Sequence, residues 1–213
     1  MSTILGICLV LVVVLFSADT IIEKKIRSQF LELSPVLQIK FSRVKSRLFS
    51  SSVSFDSLQI SFTPYANQEQ HVFVFRNVSL QGVSFLKFLF HKKLVAKNLV
   101  LADGDIRLSQ YLLEKKDSVQ MQMVKELKLP FKNLSIDRVQ LRQSKIFLQS
   151  AQVELLAQGN ASLRGVAIDK PGDKPVFSGF DVDLSDIDYP ASDFTVRIRR
   201  LRLSSANKTM AIN

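Results

Sequence analysis

The chain contains no Trp, one Cys and two His, with only seven Gly, six Pro and three Tyr among its 213 residues. Each scarcity removes a class of protein. A lone Cys8 can close no intrachain disulfide and cannot build a cysteine-based metal site, so a disulfide-stapled miniprotein is excluded. His71 and His91 have neither an acid nor a nucleophile at a motif spacing, and read as surface or strand residues rather than catalytic bases. No phosphate-cradling Gly loop, nucleophile elbow or metal triad appears. The net charge of +10 raises the question of nucleic acid, but the basic residues are scattered and the aromatic platform that stacks bases is lacking. The expectation is a protein that is not an enzyme, holds no cofactor or metal, and does not bind nucleic acid.

What the chain does have is apolar residues, 46% of the total with 16 Phe, set in a recurring strand pattern. Strict alternation of polar and apolar residues gives a strand with one greasy face. Here the alternation skips one beat, as Φ-x-Φ-x-x-Φ-x-Φ with Φ apolar. Val53-Phe55-Leu58-Ile60, Val78-Leu80-Val83-Phe85, Leu134-Ile136-Val139-Leu141, Val182-Leu184-Ile187-Tyr189 and Val196-Ile198-Leu201-Leu203 follow it. Ile106-Leu108-Tyr111-Leu113 and Ala161-Leu163-Val166-Ile168 follow it partly. An extra residue in mid-strand is the sequence image of a β-bulge. The loose spacing of the copies suggests stacked hairpins in a repeat-built sheet, with an ordinary meander as the plainer reading.

Strands begin at Leu37-Ile39-Phe41 and Val53–Phe62, and continue over Val72–Phe85 after a polar loop at Pro64–Gln70. Phe85–Phe90 is too uniformly apolar for a surface strand and reads as a helical turn or apolar lip. Asp103-Gly104, between two alternating runs, is a type I′ hairpin signal that would pair Ala102 with Asp105, Leu101 with Ile106 and Leu99 with Leu108. Tyr111–Leu127 reads as helical or irregular, strands resume at Phe131, and Asp169–Pro175 is a charged loop.

The polar positions of the last two copies are of opposite charge. Asp183, Asp186 and Asp188 follow Asp181 in one, and Arg197, Arg199, Arg200 and Arg202 fill the other. Paired antiparallel through the loop at Tyr189–Asp193, they would set carboxylates against guanidiniums, a structural ladder rather than a headgroup site. The run from Asp181 fails as a calcium loop, because Asp186 stands at position six and Ser192 at position twelve where Gly and Glu are needed.

At the N-terminus, Ile4–Phe16 has no charged or strongly polar residue and the run extends to Ile22 with Asp19 its one charge. That is about the ~20 residues a membrane span needs. A cut after Ala18 would leave the large Phe16 at −3, so an uncleaved anchor is preferred to a cleaved signal or a core helix. The basic residues after the run, with none before it, would place the body in the cytoplasm by the positive-inside rule unless a basic start is missing. Residues 1–22 are thus expected as an anchor, 23–35 as a helical stem ending at Pro35, and 36–213 as a β-rich body.

The order of an anchor, the stem "IIEKKI", then "VSFDSLQISF" and "NVSLQGVSFLKFLFHKKLVAKNLVLADGDIRL" resembles the opening of AsmA-like proteins, relatives of TamB and of the bridge-like lipid-transfer proteins. The similarity covers residues 4–108, and the rest in texture only. It implies a single-pass protein of a bacterial inner membrane, its body in the periplasm and an open β-groove facing phospholipid chains. The missing basic residues before the anchor and the stop inside a strand at Thr209–Ile212 depart from the family, and suggest a fragment or a sheet continued by a partner.

The fold expected is therefore mainly β: an N-terminal membrane helix, then a curled, mostly antiparallel sheet with one or two short helices. The lipid-facing candidates are Val53, Phe55, Leu58, Ile60, Leu99, Leu101, Ile106, Leu108, Leu134, Ile136, Val139 and Leu141. The function expected is phospholipid handling between membranes, with membrane acyl chains as the partner. The alternative is an envelope scaffold or outer-membrane assembly factor that works by strand-edge pairing with a client or itself.

Overall fold

The computed structural model describes residues 23–24, 37–62, 71–109, 131–149, 154–170, 173, 175–190, 195–205 and 209–212. The expected anchor, most of the stem, the loop at 64–70 and the segment 111–127 lie outside the described residues. Eleven strands form a single open sheet: β1 (Leu37–Phe41), β2 (Val44–Arg47), β3 (Ser52–Phe55), β4 (Leu58–Phe62), β5 (His71–Gln81), β6 (Lys93–Ser109), β7 (Asn133–Gln149), β8 (Glu154–Ile168), β9 (Gly179–Pro190), β10 (Thr195–Ser204) and β11 (Thr209–Ile212). Among the described residues, Glu23 and Lys24 are helical, and the helix α1 (Phe85–His91) interrupts the strands. The main path runs β1-β4-β5-β6-β7-β8-β9-β10-β11, with β2 on β3 and β3 on β5. Every pairing is antiparallel except β6 with β7, which is parallel. The protein is thus mainly β, as its alternation implied, in a mixed sheet rather than a pure stack of hairpins.

The skipped beat is real where strands cross the middle of the sheet. β1 and β2 are two halves of one crossing, broken at Ser42–Arg43, and β3 and β4 of another, broken at Asp56–Ser57. Both halves keep one register against their neighbour, so the two breaks lie opposite each other. Backbone bonds still bridge the gap, Ser42 N–H to the Ser57 carbonyl at 3.2 Å and Asp56 N–H to the Arg43 carbonyl at 3.2 Å. The same line continues through Arg76–Asn77, Ala102–Asp103 and Arg142–Gln143. Along it Asp103 and Gln143 take φ 53° and 48°, the left-handed region that a bulge uses. In β7 the extra residue shifts the β8 register between Leu141 and Ser144. Farther along, Asp186 (φ 51°) sits at a register shift of β9 against β8, between Leu156 and Gln158.

Three expectations need correction. The Asp103-Gly104 hairpin does not form: β6 runs straight through, and Leu101 pairs with Val78 and Leu141 instead of Ile106. Asp103 does adopt the positive φ that the signal requires, but as a mid-strand bulge. Gly104 serves packing, because a Cβ there would lie 2.6 Å from Ser144 Oγ and 2.9 Å from the Phe75 ring. The second bulged copy is not a strand either. β5 stops at Gln81, Gly82 turns at φ 66°, and Phe85 opens α1. The pattern there joins a strand end to a helical turn, two periodicities that happen to share apolar spacing. Finally, the expected repeat of hairpins is broken by the parallel β6–β7 pair, which no two-residue turn can connect.

α1 plugs one end of the apolar face. Phe85 and Phe88 are buried with Val44, Val53, Leu80, Val83, Leu94, Ala96, Phe131 and Ile136, and Leu48, Phe55, Leu99, Leu134 and Val139 pack against that cluster. Lys92 ends the helix in the left-handed conformation (φ 53°), its N–H bonded to the Lys87 carbonyl.

Candidate functional site

The apolar face is ordered in transverse rows set by strand register. One row runs Phe55–Val78–Leu101–Leu141–Ala161–Val182–Leu203. Beyond the row Phe41–Leu58–Phe75–Gly104, the next row on the same face holds Ile39, Ile60, Phe73, Ile106 and Ile146. The proposed lipid-facing residues divide between two environments. Val53 and Ile136 are buried in the α1 cluster, with Phe55, Leu99, Leu134 and Val139 against it. Leu58, Ile60, Leu101, Ile106 and Leu141 are half-buried and outside that cluster. For Leu108 only the backbone is described, pairing with Leu148. A shallow open depression of about 400 Å³ crosses β7 to β10, where Ala161 is the smallest side chain of the row Leu141–Ala161–Val182–Leu203.

The middle of the face is stitched rather than hollow. Gly104 N–H donates to Ser144 Oγ at 3.2 Å, and that hydroxyl donates to the Arg142 carbonyl at 3.1 Å. Ser144 is fully buried, and the bond to Gly104 gives its hydroxyl a partner there. On the polar side, Gln143 N–H, freed from the ladder by its bulge, donates to Asn160 Oδ1 at 2.9 Å. Asn77 Nδ2 donates to Asp103 Oδ2 at 2.7 Å. No motif in the sequence signals these contacts, because all but the Ser144–Arg142 bond join residues on different strands.

The charge ladder lies on the opposite face. β9 and β10 pair antiparallel, with Arg197 opposite Asp188 and Arg202 opposite Asp183. Arg197 Nε meets Asp188 Oδ1 at 2.8 Å, Arg200 Nε meets Asp183 Oδ1 at 2.8 Å, and Arg202 Nε lies 3.4 Å from Asp183 Oδ2. Asp186 falls opposite Arg199 at the bulge. Arg164, which the alternation left unassigned, adds an ion pair to Asp181 at 3.2 Å. Ser204 donates to Asp181 Oδ1 at 2.6 Å.

The hydrogen bond from Arg200 holds the Asp183 carboxyl below the ordinary Asp range, against a smaller desolvation effect, and the charges of Arg200 and Arg202 add to it. Asp181 is lowered chiefly by the Ser204 hydroxyl, with Arg164 assisting. A lowered folded-state value means the contribution is present above the unfolded carboxyl value near 3.8 and is lost as pH falls through the folded value. In Arg200→Ala the Asp183 carboxyl is expected to titrate closer to the ordinary value, read by carboxyl-carbon NMR. An unchanged titration would show that Arg200 does not set it. These pairs are solvent-exposed, so water and salt screen them and their contribution to stability is small.

Among the described residues no group of three or more His, Cys, Asp or Glu could hold a metal, and no helix is long and apolar enough to cross a membrane. Compared with known proteins, the chain matches no family model and no curated sequence.

Proposed function

We propose that the protein is a membrane-anchored, non-enzymatic envelope component whose apolar sheet face takes phospholipid acyl chains and handles lipid between membranes. The observation that carries this reading is the extent of that face relative to its cover. α1 and its cluster occupy one end, while half-buried apolar rows continue across β6 to β10 beyond it. An open antiparallel-rich sheet with a continuous apolar face and bulges that change its course is a form suited to a hydrocarbon chain lying across strands. The resemblance to AsmA-like proteins supports the same reading, with the body in the periplasm of a double-membraned bacterium and residues 4–22 as the inner-membrane anchor.

Leu141→Asp tests it. Leu141 is half-buried on the row outside the α1 cluster, so the variant is expected to fold with an unchanged far-ultraviolet spectrum. It should lose most of the phospholipid that co-purifies with the unaltered protein, measured by extraction and mass spectrometry. Unaltered protein that carries no phospholipid would end the proposal. A second reading is a scaffold that adds a client strand at its edge. β11 pairs only with Leu201–Ser204, so among the described residues Thr195–Arg200 has no strand on its outer side. Crosslinks mapping to β10, with no lipid bound, are the outcome that would favour it.

A further inference from the structure

The α1 end of the sheet carries three large apolar side chains turned to solvent: Phe49 at 87% exposure, Leu86 at 70% and Phe90 at 75%. They come from two segments that the fold ties together. Phe49 lies in the turn between β2 and β3, and Ser51 of that turn accepts a hydrogen bond from Val83 N–H at 2.8 Å, two residues before α1. Leu48 and Leu89 both pack on the shared cluster from these segments. α1 is therefore two-sided, with Phe85 and Phe88 inward and Leu86, Lys87 and Phe90 outward.

The described segments that carry these side chains are basic. Residues 43–55 and 77–102 contain no Asp or Glu, and Arg47, Lys87, Lys92 and Lys93 are all exposed. Among the described residues, Asp56 is ion-paired with Lys45 at 3.5 Å, Asp137 lies level with Lys97 on β7, and the Glu23 carboxylate is engaged by Ser46 N–H at 3.1 Å. That last bond also orients the molecule. Glu23 immediately follows the apolar run 4–22, and it is held on β2 next to the turn that carries Phe49.

We infer that this end is a membrane-docking tip, in which Phe49, Leu86 and Phe90 enter the headgroup–acyl boundary of an anionic phospholipid bilayer while Lys87, Lys92, Lys93 and Arg47 face its phosphates. Exposed aromatic and leucine side chains flanked by lysines are the composition of an interfacial anchor, and each lysine near an anionic surface strengthens attachment about fivefold. The tip uses the outer side of α1 and not the sheet face proposed for acyl chains. It shares with the proposed function only the reading of residues 4–22 as an anchor, which the native Cys8 tests separately.

The full chain is reconstituted into vesicles of phosphatidylcholine alone or with phosphatidylglycerol, the bilayers carrying a nitroxide-labelled lipid. An environment-sensitive dye is placed on Ser50→Cys in a Cys8→Ser background, on Arg199→Cys in the same background as the distant control, or on native Cys8. Quenching at residue 50 in the phosphatidylglycerol vesicles, absent at residue 199 and weak in the neutral vesicles, is the expected result. Neutralising Lys87, Lys92 and Lys93 to Gln should weaken docking about a hundredfold, and Leu86→Ser with Phe90→Ser should abolish the quenching. All five positions are exposed, and circular dichroism checks that the variants fold. An unquenched probe at residue 50 in both lipids, or quenching indifferent to these substitutions, overturns the inference. The probe on Cys8 reports the anchor whichever way residue 50 behaves.

Discussion

Ile136→Asp is expected to unfold the protein, whereas Leu141→Asp, five residues along the same strand, is not. Ile136 is 4% exposed, packed among Phe85, Phe88, Leu94 and Ala96 under α1, and pairs through the backbone with Ala96 and Val166. None of the cluster's members offers a cation or a donor side chain. A carboxylate placed there must either stay charged without a partner or take up a proton, and either costs several kcal/mol. Against a typical total of about 5–15 kcal/mol, that loss together with the lost apolar burial removes most of the stability. The measurement is denaturant unfolding followed by far-ultraviolet circular dichroism. A cooperative transition at an unchanged midpoint would show that Ile136 faces open space, and the core assigned to α1 would then be wrong.

The second large effect is expected at Gly159. It lies between Ser144 of β7 and Leu184 of β9, and a Cβ there would run into the Asp183 carbonyl oxygen and come 2.7 Å from Leu184 Cδ2. The carbonyl belongs to the backbone and cannot swing aside, so Gly159→Ala must push β9 away from β8. Overpacking of this kind costs roughly 1–3 kcal/mol, and Gly159→Val should cost more. Because β9 carries β10 and β11 in turn, the loss should appear as faster hydrogen exchange over residues 179–204 while residues 71–101 keep their protection. Uniform exchange along the whole sheet, or none lost, would contradict this account.

Much of the fold was legible in the chain because a sheet with one apolar face writes itself as alternation. The skipped beat in Phe55-Asp56-Ser57-Leu58, in Ile187 after Ser185-Asp186, and around Arg199-Arg200 each falls at an irregular point of the sheet. The opposing charges of β9 and β10 likewise pointed to their antiparallel pairing. What the chain concealed was anything set by residues distant in sequence. Asp103-Gly104 has the composition of a tight turn, yet its Gly is demanded by Phe75 and Ser144 on neighbouring strands. Val78–Phe85 has strand spacing, yet Gly82 and the pull of Val83, Phe85 and Phe88 toward one cluster turn it into a helix start. The parallel β6–β7 pairing could not be read at all, because alternation is the same for either direction.

The candidate residues lie on one apolar face, and the chain does not say which part of that face is covered. Leu134, Ile136, Val139 and Leu141 are one uniform motif in the chain. In space Ile136 is interior, Leu134 and Val139 flank it, and Leu141 lies outside the cluster.

The line of doublets through Ser42–Arg43, Asp56–Ser57, Arg76–Asn77, Ala102–Asp103 and Arg142–Gln143 constrains which changes of length such a chain tolerates. Losing a single residue from one of these doublets would reverse inside and outside for the remainder of that strand, exposing Ile146 and Leu148 in the case of β7 while sinking Lys145. From β1 to β7 neighbouring strands share this phase, whereas β8 meets the β7 doublet with the single residue Asn160 and absorbs the difference as a register shift. A one-residue deletion within these doublets is therefore costly from β1 to β7, while the β7–β8 seam already accommodates a mismatch of one residue.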